Sequence, residues 1–313
     1  MQVIPEGQLV YGMQLPIQSQ STLYAEDWEK SAGPDELIAV ARAAEDAGCF
    51  YLAVCDHVAI PRRLAPAMGV TWYDTIATLG LLAGVTSRTR LMSHIAVLPF
   101  RHPLLSAKAF ATLDHLSKGR LIIGVGAGHV VEEFAQLGVP FEQRGRLLDE
   151  AIDALGAALS DEFPSFKGET WSFDDAGQSP RPVQQPRPPI WVGGSSPAAI
   201  RRAAVRGEGW LPQGTPRAQL PEQISSLRAH REQAGRDDPI AIGANCEFLY
   251  VGEPGWDTGK HALTGSAEGI AESLRGYGEL GVNQLQIRFR SRDCQELCDQ
   301  LAAFGTEVAP LLS

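Results

Sequence analysis

The chain has 313 residues, of which 44% are hydrophobic and 20% charged, and 27 basic against 37 acidic residues leave a formal net charge of −10. The ordinary apolar fraction and the lack of any like-charge block exclude extended disorder, and the acidic surplus offers no basic patch to nucleic acid or to an anionic membrane. No apolar run approaches the roughly 18 residues of a membrane span, the opening MQVIPEGQLVYGMQ lacks a basic-then-apolar leader, and five scattered cysteines suit reduced thiols, which together predict a cytoplasmic enzyme acting on small molecules.

In chain order, a strand over Leu9–Leu15 is followed by a helix over Pro34–Ala47, where Leu37, Ala41 and Ala44 share a face and Gly48 stands at the C-cap. Strand Phe50–Cys55 precedes helix Trp72–Thr86, strand Arg90–Leu98 precedes helix Pro103–Leu116, and strand Arg120–Val125 precedes helix Gln143–Ser160. The second half repeats the pattern: Pro189–Val192 with Pro197–Arg206, Gly209–Pro212 with Gln219–Gly235, Ile240–Leu249 with Ala267–Leu280, and Gln284–Phe289 with Asp293–Pro310. Eight strand–helix units predict one (β/α)8 TIM barrel over residues 1–313. A doubly wound sheet would need fewer units or a second domain.

Three connections are long for a barrel: Ala59–Thr71, Asp161–Pro188 and Val251–Thr264. The first and third follow strands and so belong to the C-terminal face, where barrel enzymes work. The middle one, residues 161–188, holds a hairpin-like FKGETWSF, and its proline-rich part is expected to run over the outside.

The second strand ends YLAVCDHVAIP, which places Asp56 and His57 at its C-terminal end. A carboxylate can orient an imidazole that titrates near neutrality, giving a general acid or base, but neighbours on a strand point apart and need not touch. In RLMSHIAVLPFRHP, Arg101 offers either a bidentate clamp for phosphate or a cap for its own loop. The run Gly124-Val125-Gly126-Ala127-Gly128 departs from a dinucleotide fingerprint and reads as a flat wall against which a planar ring could lie. Glu132 and Glu133 follow in a first helical turn, either as solvated acids or with one turned inward as an acid or base. Gly193-Gly194-Ser195-Ser196 before Pro197 suits either an anion site or an ordinary capped turn. His115 and His230 look like solvated helix positions. Cys294 and Cys298 lack the second ligand pair that a metal site would need, and no G-x-S-x-G elbow or phosphate-binding GKS/T loop occurs.

From Val10 to Leu312 the runs AVCDHV, LPFRHPLLSAK, LDHLSKGRLIIGVGAG, EEFAQLGVPFEQRGRLLDE, RPPIWVGG and GEGWLP resemble the bacterial luciferase-like monooxygenase superfamily, and within it the deazaflavin (coenzyme F420)-dependent oxidoreductases. The resemblance implies a (β/α)8 barrel that transfers a hydride between F420 and a small organic substrate. It implies His57 as first choice for the proton donor or acceptor, Glu133 as second, and Asp56 beside the reactive ring. A non-proline cis peptide is expected within Ser93, His94, Ile95 and Ala96. Gly126, Ala127 and Gly128 match the loop lining the cofactor, Val192, Gly193, Gly194 and Ser195 its ribityl and phosphate side, and Gly209 with Gln213 the next phosphate-side loop.

Many relatives carry Trp after the glycine loop where this chain has His129, which makes His129 a further imidazole candidate. A polyanionic F420 tail would call on Arg62, Arg63 and Arg101. FMN is the alternative cofactor, in a two-component monooxygenase that uses O2 and a partner reductase. A non-catalytic cofactor-binding protein is the alternative of another class. The resemblance also implies a homodimer through the apolar Trp72–Thr86 helix, where Gly80 and Gly84 allow close contact, and an F420 or flavin reductase as a further partner.

Overall fold

In the computed structural model, which describes residues 3–19, 21–22 and 24–312, the barrel strands are largely buried, with Asn245 and Glu247 exposed midway along the seventh. Strand β1 (Val10–Gln14) pairs in parallel with β2 (Tyr51–Val54), which pairs with β3 (Arg90–Ser93), and the ladder continues through β4 (Leu121–Gly126), β5 (Ile190–Gly193), β6 (Gly209–Leu211), β7 (Ala241–Val251) and β8 (Gln284–Phe289). Register contacts such as Val10↔Gln284 join β8 back to β1 and close the barrel. Helices α1 (Pro34–Asp46), α2 (Thr75–Val85), α3 (Pro103–Leu116), α4 (Arg144–Ser160), α5 (Pro197–Arg206), α6 (Leu220–Gln233), α7 (Ala267–Gly278) and α8 (Cys294–Ala303) follow the strands in turn. The protein is a (β/α)8 barrel, as the segment order predicts.

Strand alternation builds two apolar layers. In YLAV of β2, Leu52 and Val54 join the shell under the helices, whereas Tyr51 and Ala53 enter a smaller lumen cluster with Met92, Ile122 and Trp191. Tyr51 meets Trp191 edge to face at 6.1 Å and donates to Gln284 Oε1 at 2.8 Å. A Cβ on Gly12 would strike Tyr51, and one on Gly209 would strike Trp191. Large and small residues therefore interlock to fill the bottom of the barrel, which keeps the chemistry at its mouth.

Four elements depart from the sequence expectation. The third strand, expected unbroken, stops at Ser93 and resumes as Ala96–Val97, which pairs with Val125 and Gly126, while the cis peptide between the two pieces, at His94–Ile95, falls within the expected Ser93–Ala96. Helix α2 begins at Thr75 rather than Trp72, because the Asp74 side chain accepts from the Ala77 amide and fixes the cap there. β7 runs on to Val251 with a register shift between Asn245 and Phe248, and Ala262–Gly265 from the third long connection pairs alongside it. After Ala303 the last helix loosens into a π-turn over Phe304–Val308. The middle connection does form its short hairpin, Phe166–Lys167 with Ser172–Phe173. Among the described residues no helix is long and apolar enough to cross a membrane.

Candidate active site

The ends of β2, β3 and β4 converge on two buried carboxylates with separate duties. Asp56 accepts both arms of the Arg101 fork, Nη1 to Oδ2 at 2.6 Å and Nη2 to Oδ1 at 2.8 Å, and also the Val97 amide at 2.8 Å. The clamp expected of Arg101 for a phosphate is thus turned on an internal partner, and Asp56 is spent as the strut that fixes the segment after Ile95. His57, one residue on, projects the other way. Its Nδ1 lies 2.8 Å from Glu133 Oε2, and Glu133 Oε1 accepts the amides of Val58 and Ala59 at 2.7 and 3.1 Å.

Glu132 and Glu133 are therefore unlike neighbours. Glu132 pairs with Arg63 at the surface, while Glu133 is 2% exposed and faces the site. Burial pushes the Glu133 carboxyl up, but the His57 hydrogen bond and charge with the two amides outweigh it and hold the group below its ordinary value. An ionised Glu133 only accepts, so Nδ1 of His57 carries its hydrogen and Nε2 is left as the working nitrogen.

Two rings frame His57: Trp72 at 4.4 Å and His129 at 5.5 Å between centroids. Trp72 was expected inside a helix; here it forms an isolated bridge with Ser19 and leaves a buried Nε1 without a partner. Its place in a connection, set by tertiary pairing, gave no local signal. Partial burial and the charge of His57 lower His129, and burial with the nearby Arg288 charge pushes His94 down to about 4. Both environments disfavour the charged imidazole.

The glycine wall is not bare. The Ile95 side chain lies over it: a Cβ on Gly126 would strike Ile95, and one on Gly193 would come within 2.9 Å of it. Gly124 likewise abuts the Ser93 carbonyl, and Ser93 Oγ donates to the Gly124 carbonyl at 2.8 Å. The glycines make room for Ile95, and Ile95, partly buried against the lumen cluster, is the apolar floor of the mouth. Gly128, at φ +77°, turns the chain toward His129 over Phe134 and Val97, and Ala127 packs against the shell.

On the opposite side, Ser195 Oγ accepts from the Gln213 amide at 2.9 Å and from Thr215 Oγ1 at 2.6 Å, which ties the loops after β5 and β6 together. The Gly194 carbonyl accepts from Trp210 Nε1 at 2.8 Å, and Ser196 caps α5 through the Ala199 amide. Val192 points into the shell beneath the helices, so only its backbone borders this loop, and Gly209 serves Trp191 below. Among the described residues no three His, Cys, Asp or Glu side chains gather as a metal-ligand set.

A family profile described as luciferase-like monooxygenase matches residues 10–254. The chain is 32% identical over 217 residues to an uncharacterized protein of Mycobacterium tuberculosis, which covers 66% of this chain and 74% of that protein. It is 29% identical over 213 residues to the FMNH(2)-dependent dimethylsulfone monooxygenase of Pseudomonas putida, which covers 66% of this chain and 56% of that one. The solved coenzyme F420-dependent tetrahydromethanopterin reductase of Methanopyrus kandleri superposes with a TM-score of 0.77 at 19% identity, covering 98% of this chain and 100% of that chain.

Proposed function

Because the chain belongs to the luciferase-like monooxygenase family, we propose that it is an F420-dependent oxidoreductase that moves a hydride between the deazaflavin and a small organic substrate. The observation that carries this reading is the His57–Glu133 pair beside the Ile95 floor. Hydride transfer to or from a carbonyl needs a matching proton, and a carboxylate-oriented imidazole supplies or takes it at Nε2. The mouth fits a flat, phosphorylated cofactor. Ile95 offers an apolar surface for a ring, and the N-terminus of α5 adjoins the loops joined by Ser195 and Gln213, on the side suited to a phosphate. When bound, the deazaflavin supplies the hydride chemistry. Of the three arginines open to its polyanionic tail, Arg101 is committed to Asp56 and Arg63 to Glu132, which leaves Arg62.

The likeness to an FMNH(2)-dependent enzyme favours FMN as the second reading, with a reductase as partner. Fluorescence titration of the purified protein decides: F420 is expected to bind at least about tenfold more tightly than FMN, a gap of about 1.4 kcal/mol. Tighter FMN binding reverses the assignment. A cofactor-binding protein without catalysis would have no use for the buried His57–Glu133 geometry.

The outer face of α2 supports a homodimer. Leu81 is exposed there, and nothing lies within 4 Å of where a Cβ would stand on Gly80 or Gly84, so a second helix can approach closely. Light scattering is expected to give twice the chain mass; a monomer mass rejects the dimer. Five free thiols suit a reducing, cytoplasmic setting.

A further inference from the structure

β8 reads QLQIRF, and its lumen face carries Gln284, Gln286 and Arg288, while Leu285, Ile287 and Phe289 join the outer shell. Gln284 is used at the bottom of the barrel by Tyr51. The two residues above it are not so satisfied. Arg101, Arg187, Arg202, Arg231 and Arg290 each meet a carboxylate. Arg288 forms no ion pair among the described residues: the buried Glu29 carboxylate acts on its charge from a distance while accepting the Ile17 and Glu26 amides, and the one side-chain hydrogen bond of Arg288 runs from Nη2 to the neutral Gln14 Oε1 at 3.0 Å.

Its guanidinium is held flat instead. The central carbon lies 3.9 Å from the Tyr24 ring centroid and 5.9 Å from that of Phe248. Stacking fixes the plane and leaves the in-plane N–H edges to be filled, which is the geometry that receives a planar oxoanion two bonds at a time. A second, independent feature points the same way. Gln286, two residues earlier on the same face, is 5% exposed, and its Nε2 has no acceptor. A buried donor without an acceptor is costly, and here it stands two residues from a cation that forms no ion pair. Arg288 stands near the C-terminal end of β8 and bonds Gln14 at the C-terminal end of β1, the strand paired through Gln14↔Ala53 with β2, whose end carries His57.

We propose that Arg288 and Gln286 form the recognition site for an oxoanion, a carboxylate or a phosphate, carried by the substrate. Arg288 is thereby a specificity residue: it selects an anionic molecule and holds its charged end against the β8 side of the mouth, so that the oxygen of the reacting group is presented to His57. The inference rests on the oxidoreductase reading only in calling the bound molecule a substrate; the anion site itself stands on Arg288 and Gln286.

The test is calorimetric titration of protein saturated with oxidised F420 or FMN, whichever binds more tightly, or of the protein alone if neither binds, so that a wrong cofactor assignment leaves the anion measurement intact. Two matched pairs of probes are used: 2-oxopentanoate against pentan-2-one, and glycerol 3-phosphate against glycerol. At least one anionic member is expected to bind tenfold or more tightly than its neutral partner, and the pair that discriminates identifies carboxylate or phosphate. Arg288→Met should bring that ratio to within twofold while cofactor affinity stays within twofold of wild type. Gln286→Leu should lower the ratio threefold or more, and it serves with the wild-type ratio if Arg288→Met does not fold. Equal binding of anion and neutral in both pairs overturns the proposal, as does discrimination that survives in Arg288→Met. A tenfold loss of cofactor affinity in Arg288→Met overturns it too, by giving that residue to the cofactor.

Discussion

Replacing His57 by Ala is expected to lower turnover by about 100-fold or more, the range for loss of a positioned proton carrier, with cofactor affinity changed by less than about twofold. The separation follows from the geometry. His57 is held from one side by Glu133 and flanked by Trp72 and His129, whereas the surfaces proposed for the cofactor are Ile95 and the Ser195–Gln213 loops. Removing the imidazole takes away Nε2 and leaves those surfaces standing. His129 does not replace it, because it lacks the carboxylate that fixes the tautomer of His57. Steady-state turnover with a fluorescence titration of the cofactor checks both halves, and turnover within about threefold of wild type removes His57 from the mechanism.

The barrel was legible because most strands are short, largely apolar runs and most helices show their own period, so that segment order alone sets the architecture. The pairings inside the mouth were less so. Glu132 and Glu133 are chemically identical neighbours, and only the tertiary placement of their short helix, Val131–Gln136, decides which one turns to His57. Trp72 was misplaced because α2 starts three residues later, at a cap supplied by Asp74. The glycines at the end of β4 read as a flat wall for a ring, but the side chain that lies against them is Ile95, from the break between Ser93 and Ala96. Arg288 and Gln286 did leave a local trace. Polar residues that alternate with Leu285, Ile287 and Phe289 in a barrel strand mark a lumen face with polar contents, and an arginine there needs a partner.

Asp56 and His57 are adjacent in sequence and opposite in role, and Asp56→Ala should show it. The substitution leaves the Arg101 fork and the Val97 amide without their acceptor. Breaking a buried charge pair from one side costs about 3–5 kcal/mol, and the partial exposure of Arg101, 29% of its side chain, points to the lower end, about 3 kcal/mol. The damage also travels. Val97 belongs to the short strand that pairs with Val125 and Gly126, and this strand directly follows Ile95, so loosening it loosens the floor of the mouth. Asp56→Ala is therefore expected to lose stability in urea unfolding and cofactor affinity together, in contrast to His57→Ala, which loses turnover alone. The double variant Asp56→Ala with Arg101→Met should recover most of the lost stability, because the unpaired cation is removed with its partner. A loss below about 1 kcal/mol in the single variant, within the range of an exposed ion pair, would show that Asp56 is not the strut that its three hydrogen bonds describe.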